Sequence, residues 1–119
     1  MSRSRAQGTR LESELVARVR ARGLPARRLA EGGLRDEGDV EVFDEDGFRH
    51  VIEAKACERL SLHAVWLKAR RKAPATARVA VVWKRVTLKA GNARRTADGP
   101  VLVAVPLDDY LDLLSRSAT

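Results

Sequence analysis

Two short apolar segments joined by an acidic turn constrain the fold of this chain more than any other feature. Residues 38–43 (GDVEVF) alternate polar and apolar side chains, as a half-buried strand does. Residues 44–47 (DEDG) are typical of a tight turn that ends in Asp-Gly. Residues 49–55 (RHVIEAK) can then return alongside the first segment. The pattern predicts an antiparallel hairpin.

The hairpin also predicts a chemical site, because it brings together side chains that suit phosphate chemistry. Glu53 and Lys55 are two residues apart on the second strand, so they project from the same face. If the first strand places Asp39 beside them, two carboxylates and one amine converge. Two carboxylates can hold a hard divalent cation such as Mg²⁺. A lysine beside that cation can orient a water molecule or contact a phosphate, a combination typical of nucleases.

The flanking sequence predicts a single α/β (α+β) domain. A first helix is expected over residues 10–22, with Thr9 as its N-cap and Gly23 at its end. Its apolar stripe is Leu11, Leu15 and Val19, with Glu12 close to that stripe. Residues 1–9 are predicted to be a basic, flexible tail, which leaves residues 10–119 as the domain.

The remaining elements follow from apolar pattern and turn residues. Strands are predicted over 24–29, 78–86 and 101–105, a basic loop over 87–99 and a last helix from Pro106. A helix is predicted over 60–73, with Ser61 as its N-cap and with Leu60, Ala64, Leu67 and Trp66 on its apolar side. The predicted order is α-β-β-β-α-β-β-α, with a central mixed sheet flanked by helices.

The distribution of charge favours a polyanionic partner. The net charge is +7, and residues 59–95 contain eleven basic residues and no acidic one. The acidic residues cluster instead in 36–58, which holds nine of the sixteen. Basic segments around an acidic centre suit a nucleic-acid enzyme that uses a metal. The alternative is a basic surface that reflects genome composition, since arginine outnumbers lysine 18 to 5.

Other classes of protein fit the composition less well. No apolar run approaches the ~20 residues of a membrane span, so no membrane partner is expected. The single cysteine, Cys57, excludes an internal disulfide and a cysteine-rich zinc site, and the expected location is the cytoplasm. An RNA-binding module is disfavoured because aromatic residues are only 4% of the chain and no stacking motif is found.

These motifs, taken in order, resemble the PD-(D/E)xK nuclease superfamily. Within it the chain is most similar to archaeal-type Holliday-junction resolvases and related phage nucleases, over roughly residues 8–86. The matching residues are Gly8 with Glu12 and Glu14 on the first helix, Gly23, Arg27 or Arg28, Gly32-Gly33, Gly38-Asp39-Val40, and Glu53-Ala54-Lys55. The chain departs from the family at two points. Gly38 stands where the family has a proline before the aspartate, and the glutamine often found on the helix after Glu-x-Lys is absent.

The resemblance implies a restriction-endonuclease-like fold and a metal-dependent endodeoxyribonuclease. Asp39 and Glu53 would bind Mg²⁺ directly, with Mn²⁺ as an alternative, and the backbone carbonyl of Ala54 would be a third ligand. Glu12 would reach the metal directly or through water. Lys55 would position the attacking water or contact the scissile phosphate.

The expected substrate is branched DNA, a four-way junction, and the expected assembly is a homodimer because such a junction has two symmetric cleavage sites. Flap, nicked or foreign duplex DNA remains an alternative substrate, and a non-catalytic basic DNA-binding protein remains an alternative function. The residues expected to contact DNA phosphates are Arg27, Arg28, Lys68, Arg70, Arg71, Lys72, Lys84 and Arg85, with further contacts from Arg3, Arg5, Lys89, Arg94 and Arg95. Residues 101–105 and 107–115 are candidates for the dimer interface.

Overall fold

The structure is a computed structural model that describes residues 3–29, 36–88, 95–97 and 99–116. These residues contain three helices and six strands. They are α1 (Arg3–Ala21), β1 (Ala26–Arg28), β2 (Val40–Phe43), β3 (Arg49–Cys57), α2 (Leu62–Lys72), β4 (Arg78–Leu88), β5 (Arg95–Ala97), β6 (Leu102–Ala104) and α3 (Leu107–Arg116).

The predicted hairpin is confirmed as β2 and β3. The strands are antiparallel, and Val40 lies opposite Ile52 in their register. The Asp44 carboxylate closes the turn, since its Oδ1 accepts hydrogen bonds from the backbone N–H groups of Asp46 (2.9 Å) and Phe48 (3.0 Å). Gly47 adopts φ 84°, a left-handed conformation that glycine reaches without steric cost. Turn chemistry and strand pattern thus specify the same register.

A mixed sheet forms the centre of the domain. Its strand order is β1-β2-β3-β4-β6, with β3 and β4 parallel and the other neighbours antiparallel. The parallel pair requires a crossover connection, which α2 supplies. The far end of β4 extends beyond this sheet and pairs antiparallel with β5. The predicted fold class and order of helices and strands are confirmed, with β5 as an additional short strand.

Alternating side chains of the strands build a core on each face of the sheet. On one face, Leu11 and Leu15 of α1 pack in a cluster with Val40, Ile52 and other small apolar side chains. On the other face, Ala69 and Ala73 pack with Val51 and Val79. Because Val51 and Ile52 are neighbours in β3, they point to opposite faces. The same alternation directs Glu53 and Lys55 toward the α2 side.

Three predicted details are corrected. The first helix begins at Arg3, so Thr9 lies inside it and does not cap it, and residues 3–9 of the expected tail are helical. Ser61 precedes α2, but its side chain makes no capping hydrogen bond. The expected loop over 87–99 contains the end of β4 and all of β5, because residues 86–88 pair with 95–97. Residues 89–94 and 98 of that loop lie outside the described residues, as does the predicted glycine loop at residues 32–33.

The predicted apolar side of α2 is wrong for Ala64 and Leu67 and agrees with the structure at Trp66. Ala64 and Leu67 are exposed, whereas Ala69 is buried and Trp66 is partly buried against the sheet. Small side chains at the contact let the helix approach the sheet closely, and the larger leucine is left outside. The helix is therefore rotated relative to the expectation, and its inward side includes Lys72.

The last helix has no buried residue among those described. Ion pairs hold it against the domain. Arg78 Nη1 lies 3.7 Å from Asp109 Oδ1 and 3.8 Å from Asp112 Oδ2, and Arg116 contacts Asp44 and Asp46 at the hairpin turn. Among the described residues, no helix is long and apolar enough to cross a membrane.

Candidate metal-binding carboxylate site

Asp39 is positioned by the backbone at the start of β2. Its N–H donates to the Ile52 carbonyl at 3.0 Å, and its own carbonyl accepts from the Leu29 N–H at 2.9 Å. Gly38 precedes it with φ 149°, and a Cβ added there would collide with Val51 Cγ1. The Val51 side chain would have to shift to admit a side chain at position 38. The position before Asp39 therefore favours glycine.

The Asp39 carboxylate is in an unfavourable environment for its charge. Burial first, and then the neighbouring carboxylates of Glu53 and Glu12, raise its pKa from 3.8 to about 6. A hydrogen bond from the Ala54 N–H to Asp39 Oδ2, 2.8 Å long, and the charge of Lys72 act in the opposite direction without compensating. Burial and like charges together thus disfavour the ionised form.

Glu53 lies opposite this position on β3 and is 9% exposed. Its nearest cation is Lys72, whose Nζ lies 3.2 Å from Oε2 and 3.4 Å from Oε1. Lys55 Nζ is 3.7 Å from Oε1. Although Lys72 is close, Glu53 Oε2 has no hydrogen-bond partner of suitable geometry among the described residues. The carboxylate is therefore paired by charge but incompletely hydrogen-bonded.

Glu12 approaches the site from α1. Its Oε1 accepts a hydrogen bond of 3.2 Å from Arg28 Nε, and its side chain is 16% exposed. Its charge raises the pKa of Asp39, so the two carboxylates lie within electrostatic range. That Glu12 reaches a bound metal, directly or through water, stays a prediction. Arg28, which is predicted to contact DNA, is the ion-pair partner of Glu12 and has 40% of its side chain exposed.

The donor set suits a hard divalent cation as a two-carboxylate site. Asp39, Glu53 and the carbonyl of Ala54 offer only oxygen donors, which Mg²⁺ prefers. The incompletely hydrogen-bonded Glu53 Oε2 and the raised pKa of Asp39 are both features that a cation would relieve. Among the residues that the structure describes, no group of three or more acidic, histidine or cysteine side chains has the spacing to hold a metal ion.

Another buried carboxylate, that of Glu41, lies on the same face of the hairpin but in different surroundings. It accepts hydrogen bonds from Arg27 Nε at 2.7 Å and from Arg49 Nε at 2.6 Å. Burial alone would raise its pKa, but the two arginines outweigh burial and lower it. Arg49 also binds Glu37 at 2.7 Å. Each oxygen of Glu41 therefore accepts a hydrogen bond from an arginine, one on β1 and one on β3.

The residues predicted to bind DNA fall into two groups. Several have partners within the protein: Arg27 with Glu41, Arg28 with Glu12, Lys72 with Glu53, Lys84 with Glu14 at 3.6 Å, and Arg70 with the carbonyls of Pro74 and Ala77. The others, Lys68, Arg71 and Arg85, have exposed side chains. The side chains of Arg3, Arg5 and Arg95 are not described, and Lys89 and Arg94 lie outside the described residues.

Lys72 is the site residue whose position the sequence analysis misses. The sequence places it in the DNA-binding set because it ends a basic run, residues 70–72. A signal is nevertheless present. At 100° per residue, Lys72 lies about one turn beyond Ala69, and it directly precedes Ala73. Alanine side chains can pack closely against a sheet, so the side of the helix that carries these alanines and Lys72 is the one expected to face inward.

A comparison of the chain with known protein families and with curated proteins finds no match. Function is therefore inferred from the site itself.

Proposed function

We propose that the protein is a metal-dependent endodeoxyribonuclease of the PD-(D/E)xK type that cleaves branched DNA, with the four-way Holliday junction as its expected substrate. The observation that carries this proposal is the pairing of Asp39 and Glu53. Two largely buried carboxylates lie together with incomplete compensation, beside lysines and next to exposed basic side chains. The Asp39 carboxyl has a strongly raised pKa beside a second buried carboxylate, and such a combination marks a candidate ligand site.

Each residue has a distinct role in the proposed reaction. Asp39, Glu53 and the Ala54 carbonyl would hold the divalent cation, Mg²⁺ or Mn²⁺, and Glu12 would reach it directly or through water. The bound cation would stabilise negative charge on the phosphate and acidify a water molecule. Lys55 has 41% of its side chain exposed beside Glu53, so its ammonium can contact the scissile phosphate or orient the water. The Ala54 N–H holds Asp39 in place.

The exposed cations supply a surface for the DNA backbone. Lys68 and Arg71 are on α2, and Arg85 is on β4. Contacts of this type bind phosphates without reading sequence, so recognition of DNA shape is expected. DNA affinity should fall steeply as salt concentration rises. An enzyme that acts on DNA in this way would work in the cytoplasm.

A second copy of the chain is the proposed partner for the C-terminal surface. Leu107, Tyr110, Leu111 and Leu114 form an exposed stripe on α3, whereas Asp109, Asp112 and Arg116 are already engaged in ion pairs with the domain. The helix thus presents its apolar side outward. An apolar surface of this kind marks an interaction site. The same stripe on a second copy of the chain would be an uncharged surface against which it can pack. A two-fold dimer would also place two carboxylate sites on one four-way junction.

The test of function is cleavage of a labelled synthetic four-way junction in Mg²⁺. The wild-type protein should make paired symmetric nicks, and Glu53→Gln should lose cleavage by about a thousandfold or more while retaining DNA binding. Glu45→Gln, which removes an equivalent charge from the exposed turn, is the matched control and should cleave normally. If flap and linear DNA are cleaved as fast as the four-way junction, the protein is a nuclease but is not selective for junctions. Tight binding without cleavage in any divalent metal would support a non-catalytic DNA-binding protein.

The dimer is tested separately by sedimentation. Leu111→Glu places a charge in the middle of the apolar stripe and should convert the dimer to a monomer. Thr76→Glu adds the same charge at an exposed turn and should leave the assembly unchanged. A wild-type protein that remains monomeric at high concentration would contradict the proposed interface.

A further inference from the structure

Two lysines on α2 have opposite surroundings although they are one turn apart. Lys68 is exposed. The side chain of Lys72 is only 22% exposed, and its Nζ lies 3.2 Å from Glu53 Oε2 and 3.5 Å from Asp36 Oδ2. Close packing of Ala69 and Ala73 against the sheet turns this side of the helix inward. Lys72 therefore belongs to the carboxylate site by its position in the fold.

Lys72 is held to Glu53 by charge and by one long hydrogen bond, which its Nζ donates to Oε1 at 3.4 Å. The ammonium lies near both carboxylate oxygens, yet Oε2 gains no well-oriented hydrogen bond from it. A lysine ammonium is a compact charge on a flexible stem, so it can leave one anion for another with little change in the backbone. Its second contact, Asp36, is 74% exposed and gives it only a weak anchor.

A divalent cation on Glu53 would lie beside the Lys72 ammonium. Two positive charges at such short range repel each other strongly in a partly buried site. Lys72 in its present position therefore opposes metal binding, and withdrawal of its ammonium from Glu53 would remove that opposition. A withdrawn Lys72 would need another anion, and the basic side chains of Lys68 and Arg71 on the same helix mark the place where a DNA phosphate is expected.

We propose that Lys72 is an exchangeable counter-ion that pairs with Glu53 until a divalent metal binds there and then transfers to a DNA phosphate, so that metal and DNA bind cooperatively. The inference rests on the proposed metal-dependent function and adds a positioning residue that acts through Glu53. Because the coupling is thermodynamic, each ligand must strengthen the other by the same factor.

The first measurement is Mn²⁺ affinity by calorimetry in the absence of DNA. Lys72→Gln removes the competing charge and should strengthen Mn²⁺ binding on the order of tenfold. Lys68→Gln removes the same charge from the same helix and should leave the affinity within about twofold of wild type. Lys72→Arg retains the charge and should stay close to the wild-type value. Glu53→Gln identifies which part of the Mn²⁺ binding belongs to this site.

The second measurement is affinity for a labelled four-way junction with and without Ca²⁺, used as a divalent cation that does not support cleavage. Ca²⁺ should strengthen junction binding by wild type and by Lys68→Gln more than by Lys72→Gln, because only the last variant has lost the transferable charge. Circular dichroism and thermal unfolding establish that each variant is folded.

The outcomes separate this inference from the proposed function. If Mn²⁺ binding depends on Glu53 but Lys72→Gln leaves it unchanged or weaker, the exchange by Lys72 is wrong and the metal site stands. Equal Ca²⁺ enhancement of junction binding in wild type and Lys72→Gln would likewise overturn the exchange. If the Glu53→Gln variant binds Mn²⁺ as tightly as the wild-type protein does, the proposed metal site fails, and the exchange fails with it.

Discussion

Glu41 and the Asp39–Glu53 pair lie on the same face of one hairpin, yet their charges are compensated very differently. Glu41 has two arginines within 2.7 Å, each donating a hydrogen bond. Glu53 has only lysines, at 3.2 and 3.7 Å, and one oxygen without a hydrogen bond among the described residues. The Asp39 carboxylate accepts a backbone hydrogen bond from Ala54.

The difference separates a carboxylate that stabilises the fold from carboxylates that suit a ligand. The planar guanidinium of arginine matches a carboxylate and fixes its position. Lysine leaves the carboxylate oxygens accessible to another cation. The direction of the pKa shift agrees, since the pKa of Glu41 is lowered and that of Asp39 is raised to about 6.

The largest expected effect on stability comes from replacing Arg49, which pairs with both Glu41 and Glu37. Arg49→Met leaves buried Glu41 with only the exposed Arg27 and also releases Glu37, so unfolding free energy should fall by on the order of 2 kcal/mol. Urea denaturation measures the change, and Arg71→Met, at an exposed arginine of α2, is the control. A loss at Arg49 no larger than that at Arg71 would remove the basis for calling Glu41 structural.

A change at Gly38 tests whether the backbone conformation before Asp39 holds the Asp39–Glu53 pair in place. The added methyl group of Gly38→Ala would collide with Val51 Cγ1, and the alanine must also accept φ 149°. The expected loss of stability is about 2 kcal/mol. Combining Gly38→Ala with Val51→Ala separates the two causes, because relief of the clash would make the double variant more stable than the sum of the single losses predicts. Strict additivity would assign the loss to backbone strain alone.

Neutralising Asp39 should stabilise the protein at neutral pH, in contrast to any change at Glu41. The unfolded aspartate titrates near 3.8 and the folded one at about 6, so between these values the folded chain binds more protons. Stability therefore falls as pH rises through this window. With a chelator present, Asp39→Asn should gain about 1–2 kcal/mol at neutral pH, and the gain should shrink on acidification and vanish below about pH 4.

The measurement is thermal unfolding of wild type and Asp39→Asn across that pH range. The side-chain amide introduced by Asp39→Asn must leave the hairpin undisturbed for the two proteins to be compared. The gain in stability at neutral pH must therefore be accompanied by an unchanged circular dichroism spectrum. A variant that is less stable than wild type at neutral pH would show that the Asp39 charge is compensated. Adding Mg²⁺ should raise the stability of wild type and leave Asp39→Asn nearly unchanged.

The sequence predicted the hairpin and the sheet because local signals agreed with the global fold. The turn at Asp44–Gly47 and the alternation on both sides of it specify one register, and that register brings Asp39 and Glu53 together. The rotation of α2 was not predictable in the same way. In a hydrophobic pattern, alanine marks a buried side of a helix less clearly than leucine does. In α2 the alanines nevertheless face the sheet, because their small side chains allow the helix to approach it closely. The contact of Glu41 with Arg27 depends on β1 lying beside β2, a long-range pairing that no local pattern reveals.

The smallest expected effect is at Arg27, the exposed partner of Glu41. Its side chain is 66% exposed, so solvent screens the ion pair, and Arg49 still compensates Glu41 when Arg27 is removed. Arg27→Gln should therefore lower stability less than Arg49→Met in the same urea titration. The same variant can be tested for junction affinity, because Arg27 is predicted to contact DNA. Weaker DNA binding with little loss of stability would mean that Arg27 can serve both anions, whereas a stability loss equal to that of Arg49→Met would show that Glu41 needs both arginines.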